Sequence, residues 1–84
     1  MEEKTTLDVT IYGETYHMKV KDDQEKMLKI VGIVDDMMKQ VGEKYPHLLV
    51  KDIAILAALN IAESHQKLQE DYRQLINLIE EDKH

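Results

Sequence analysis

The chain has 84 residues, 17 acidic against 11 basic side chains, a formal charge of -6 and no cysteine. One domain of this size gains only a few kcal/mol from its core and needs a staple or a partner; with disulfides and thiolate metal sites excluded, association remains. The negative charge, with Arg73 as the only arginine, opposes binding to nucleic acid or to an anionic membrane.

The start Met1-Glu2-Glu3-Lys4 lacks the basic and apolar regions of a secretory signal, and the absence of cysteine fits a reducing cytosol. The longest mainly apolar run, Ile53 to Ala62, is interrupted by Asn60 and falls well short of the roughly 20 residues a bilayer requires. The expectation is a cytoplasmic protein with no membrane partner.

Residues 6–21 alternate. Leu7, Val9 and Ile11 share one face, Gly13-Glu14 breaks the pattern, and Tyr16, Met18 and Val20 share a face again, which predicts a β-hairpin. A type II′ turn at Gly13-Glu14 pairs Ile11 with Tyr16, Val9 with Met18 and Leu7 with Val20, and sets Asp8 opposite Lys19 and Thr10 opposite His17. A lone hairpin is only marginally stable, so its apolar face needs a support.

The support is predicted to start at Asp22. Asp22 and Glu25 form a capping-box pattern, with Asp22 or Asp23 as N-cap. Met27, Ile30, Val31, Val34, Met37, Met38 and Val41 make an apolar stripe, giving a helix over residues 22–43 with Gly32 on its polar side. Gly42 and Pro46 are expected to close that helix.

A second helix is predicted from about Leu48 to Glu81, roughly 50 Å at 1.5 Å per residue, longer than the ~30 Å diameter of a compact chain of this size. Its first half is apolar on nearly all sides through Ala62, so it is expected to touch the hairpin, the first helix and a partner chain. Beyond that, one face repeats in alternating steps of four and three: Ala54, Ala58, Ile61, His65, Leu68, Tyr72, Leu75 and Ile79. This heptad occupies a wedge about 100° wide, the pattern of a seam awaiting another helix. The expected class is therefore α+β: an N-terminal hairpin, a short amphipathic helix and a long C-terminal helix ending in a coiled-coil tail, assembled as a homodimer. Residues 1–62 form the head and 63–84 the tail, one folding unit. Ile76 and Leu78 widen the apolar face near the end, which hints at a layer of more than two helices, and His65 on the seam is a candidate pH-sensitive position.

Catalysis finds no support. There is no cysteine, Ser64 is the only serine, no glycine-rich phosphate loop is present, and His17, His47, His65 and His84 never approach one another or a carboxylate with metal-ligand spacing. No cofactor or metal is expected. Acidic pairs such as Asp35-Asp36 read as solvated helix faces, and the methionines as core.

The hairpin Val9-x-Ile11-x-Gly13-x-x-Tyr16-x-Met18, the capped helix, and Ile55-Leu56-Ala57-Ala58-Leu59-Asn60-Ile61-Ala62-Glu63 opening a heptad tail resemble, in this order, the bacterial cell-division family ZapA. The resemblance spans nearly the whole chain. It implies a cytoplasmic, non-enzymatic accessory of the mid-cell division ring, whose dimers or dimers of dimers bind and bundle filaments of the tubulin-like protein FtsZ. The chain departs from the family pattern at Glu14, where many members carry a basic residue, and at Ile30-Val31-Gly32, where alanines are common. The candidate partner contact is the polar hairpin face with the nearby helix start: Thr10, Tyr12, Glu14, His17, Lys19, Lys21 and Lys26, which hold the main local cluster of lysines. The competing readings are a generic dimerising scaffold and a DNA-binding β-ribbon protein; the ribbon reader needs the net positive charge this chain lacks.

Overall fold

The computed structural model describes residues 5–21 and 23–81. Elements follow in the order β1 (Thr5–Ile11), β2 (Glu14–Val20), α1 (Gln24–Lys44) and α2 (Val50–Glu81). The expected helix start at Asp22 and the tail residues 82–84 lie outside the described residues.

β1 and β2 form an antiparallel two-stranded sheet, but with a register different from the expected one. Ile11 pairs with Glu14, Val9 with Tyr16, Leu7 with Met18 and Thr5 with Val20, and on the other face Asp8 pairs with His17 and Thr10 with Thr15. The two-residue loop is Tyr12-Gly13, and both residues have positive φ, 50° and 83°. That is the type I′ signature, whose twist matches the flanking strands. The pairing is offset by two positions from the expected one, an even number, so the side chains keep their faces. A tyrosine at positive φ costs about 1–2 kcal/mol. Two tertiary contacts of Tyr12 that strand patterning does not encode hold it there: its amide donates to Asp35 Oδ1 at 2.7 Å, and its ring lies against Gly42.

α1 begins at the N-cap Asp23, whose carboxylate accepts from the Lys26 amide at 3.1 Å. The position three residues after the cap is thus Lys26 rather than Glu25. The expectation that Gly42 helps close α1 is overturned: the helix continues through it to Lys44, and Gly42 is buried. A Cβ at position 42 would overlap the Tyr12 hydroxyl and lie 3.1 Å from Cζ. The glycine makes room for the hairpin turn, and Pro46, just beyond the C-cap Tyr45, stops the helix. Gly32 has open space around it.

α2 starts at Val50, two residues after the expected position, with the amides of Asp52 and Ile53 both donating to the Leu49 carbonyl. The core is small. Met38, Val41, Ile53 and Ala57 form its centre, with Ile11, Tyr12, Val34, Met37, Leu48, Ala54 and Leu56 packed around them. Val9, Val20 and Val31 are buried where the hairpin rests on α1. α1 is therefore the hub: both β1 and the first turns of α2 pack against it, with Ile11 and Tyr12 joining the cluster between the two helices. The chain measures 54 × 46 × 14 Å with a radius of gyration of 17.7 Å, against about 12 Å for a compact chain of this length. It is a thin plate, extended by the projecting half of α2.

Candidate functional site

Two surfaces carry the residues singled out by sequence. The first is the heptad face of α2. Ala54 packs beside the core and Ile61 is half-buried, but Ala58, His65, Leu68, Tyr72, Leu75 and Ile79 are exposed. Leu68 is 69 % exposed, Tyr72 65 % and Leu75 54 %. From Ala62 to Glu81 every residue except Ile76 is exposed, so no element among the described residues covers this stretch. The apolar surround of the first half of α2 divides. Ile53 and Ala57 are buried against α1 and Leu56 packs beside them, whereas Leu49, Ile55 and Leu59 face outward. Scattered apolar residues on a surface need no explanation, but a periodic row of them on a projecting helix does.

The second surface is the hairpin with the start of α1. Thr10, Glu14, His17, Lys19, Lys21 and Lys26 are exposed. His17 Nδ1 contacts Asp8 Oδ1 across the strands, and the hydroxyls of Thr10 and Thr15 lie 3.5 Å apart. Lys19, Lys21 and Lys26 gather around one groove of about 500 Å³, with Val20, Met27 and Ile30 among its apolar lining. Of the four remaining candidates, Glu14 and Tyr12 stand furthest from the expected arrangement. Glu14 pairs with Ile11 at the far end of the hairpin. Tyr12, expected to project outward, is half-buried and packs against the core.

The contact that aims the hairpin was not singled out from sequence. Asp35, read as part of a solvated acidic pair, accepts the Tyr12 amide and binds Lys39 Nζ at 2.8 Å; its side chain is only 19 % exposed. The Lys39 hydrogen bond, reinforced by the Tyr12 amide, lowers the Asp35 pKa from its ordinary 3.8, and the Asp35 carboxylate raises that of Lys39 from 10.5. The one legible signal was the Asp35/Lys39 spacing of four on a helix. Among the described residues, no group of three His, Cys, Asp or Glu side chains is placed to hold a metal, and no helix is long and apolar enough to cross a membrane.

Comparison with known proteins converges on one family. The family model described as "Cell division protein ZapA" matches residues 7–83. A cell division protein ZapA of Bacillus velezensis is 35 % identical over 78 residues, covering 93 % of this chain and 92 % of the relative. Another, of Bacillus pumilus, is 36 % identical over 72 residues, covering 86 % and 85 %. Among solved structures, a ZapA mutant dimer from Geobacillus stearothermophilus superposes with a TM-score of 0.70 at 32 % identity, covering 95 % of this chain and 93 % of that one.

Proposed function

Because the chain belongs to the ZapA family of cell division proteins, we propose that it is a non-enzymatic adaptor of the bacterial division ring. In this reading it pairs with a second copy along α2 and uses the paired heads to bind and cross-link FtsZ filaments at mid-cell. The observation that carries the reading is the uncovered heptad face. The chain exposes 7361 Å², whereas a compact monomer of 9.8 kDa exposes about 5,200 Å². The excess, about 2,000 Å² per chain, is of the size that obligate homodimers bury. The solved relative titled a dimer supports association with a second copy.

Pairing supplies the mechanism. A two-fold dimer presents each head twice, and once one head holds a filament subunit, the second binds at high effective concentration. Weak single contacts then suffice to link filaments. The filament contact in this reading is the outward hairpin surface with the start of α1, where Lys19, Lys21 and Lys26 cluster on an otherwise acidic chain.

Light scattering and pelleting of polymerising FtsZ test the adaptor, alongside sedimentation of the protein alone. The expected results are increased scattering, co-pelleting and a particle of dimer mass. A folded single-chain particle at micromolar concentration, or FtsZ polymers unaffected by the protein, would overturn the reading.

A further inference from the structure

Among the described residues, none pairs with the outer edge of β2. The sheet has two strands, α1 lies against β1, and β2 is the outlying strand. Ile11 and Glu14 flank a two-residue turn and so exchange backbone hydrogen bonds. The alternation of an antiparallel ladder then directs the N–H and C=O groups of Thr15, His17 and Lys19 away from β1. This is a row of unpaired donors and acceptors along a seven-residue strand, a template for another extended chain. The side chains beside it differ by face. His17 and Lys19 stand on the polar face, with Lys21 just beyond the strand and Asp8 opposite His17 as the one nearby acid on that face of the sheet. Tyr16, 47 % exposed, and the half-buried Met18 stand on the apolar face.

The geometry points to β2 as the docking edge for an extended segment of the filament partner, a segment that alternates acidic with apolar residues. Backbone pairing at Thr15, His17 and Lys19 supplies affinity. Alternate side chains then supply specificity, the acids lying toward Lys19 and the apolar residues over Tyr16 and Met18. Charge complementarity selects this occupant over a basic or neutral strand. The inference deepens the adaptor reading and rests on the filament being the partner.

Proline decides between edge pairing and simple charge attraction. The His17 N–H faces solvent, where an edge strand tolerates proline, so His17→Pro removes one docking donor and leaves the β1–β2 ladder intact. His17→Ala controls for the lost side chain. The probe is a labelled, capped peptide alternating aspartate with leucine and isoleucine, alongside a counterpart with lysine for aspartate; both are titrated into the intact dimer. The acidic peptide is expected to shift and protect the amides of Thr15, His17 and Lys19. His17→Pro and Lys19→Glu each weaken it about tenfold, and His17→Ala changes it little. FtsZ co-pelleting falls in the same order.

Equal binding by the His17→Pro and His17→Ala proteins would overturn the inference, as would equal binding of the lysine peptide. So would slow exchange of those amides in the protein alone, because a second copy would then already hold the edge. Should His17→Pro fail to fold, the amide shifts in the unaltered protein and the Lys19→Glu titration decide. If FtsZ ignores the unaltered protein, the adaptor reading falls, while the peptide titration still reports on the edge.

Discussion

Ala57 and Leu68 lie on the same helix, three turns apart, and are 1 % and 69 % exposed. The first stretch of α2 has α1 beside it: Ile53 and Ala57 face Met38 and Val41, and Ile11 and Tyr12 of the hairpin pack against the same cluster. The second stretch repeats the same kind of apolar spacing with nothing beside it. A helix gains most of its stability from packing its apolar face rather than from intrinsic propensity. In the proposed pairing the tail is written for a contact outside the chain, and the head for a contact within it. Damage to the head should appear at every protein concentration; damage to the tail should appear only through association.

The largest effect is expected from the tail. Leu68→Asp with Leu75→Asp places charges along both copies of the seam, forfeiting about 1.5–3 kcal/mol for each leucine that pairing would bury. Sedimentation should then show the dimer dissociating at concentrations about a thousandfold or more higher, while circular dichroism still reports a folded head. Loss of the head in that variant would erase the distinction between the two stretches.

Ile53→Ala comes next. Ile53 is 2 % exposed at the junction of α1 and α2, so its truncation should cost about 2–5 kcal/mol by emptying a packed site. The loss should persist at saturating dimer, read as a lower denaturant midpoint at high protein concentration. Gly42→Ala follows at about 1–3 kcal/mol. The new methyl displaces the Tyr12 ring, and that cost exceeds the roughly 1 kcal/mol alanine gains over glycine inside a helix. Tyr12→Ala in the same chain should remove most of the clash, and a double-mutant cycle measures that coupling.

The smallest effect is electrostatic. Asp35 has a lowered folded pKa, so its contribution is present above its ordinary 3.8 and fades as the pH falls through the folded value. Lys39 is the converse: its contribution is complete below 10.5 and is lost as the pH rises through its raised folded value. Melting curves should therefore lose stability below about pH 4 in the native protein and less so in Asp35→Asn, which keeps an acceptor for the Tyr12 amide but no charge. Equal acid sensitivity in both would detach the hairpin latch from that ion pair.

The elements were legible because each has its own period. Alternation from Leu7 to Val20 announced two strands, and the steps of three and four along residues 27–41 and 54–79 announced two helices. The exposed seam was legible for the same reason, with the length of the second helix showing that the chain cannot cover it. The position of the hairpin loop was not. Gly13 serves both II′ and I′ turns, and the choice between them depended on Asp35 and Gly42, more than twenty residues away.

Gly42 shows the limit most clearly. Beside Pro46 it reads as a helix stop, because glycine favours helix ends. In the folded chain it is a gap cut for Tyr12, and that gap together with the Asp35 carboxylate sets the pose of the hairpin on α1. Sequence alone determined the number, kind and order of elements, and that one helical face would be left over, since these follow from local periodicity and length. Only the tertiary structure decided the loop residues, the turning inward of Tyr12 and the grouping of Lys19, Lys21 and Lys26 around one groove, since these depend on contacts between residues far apart in the chain.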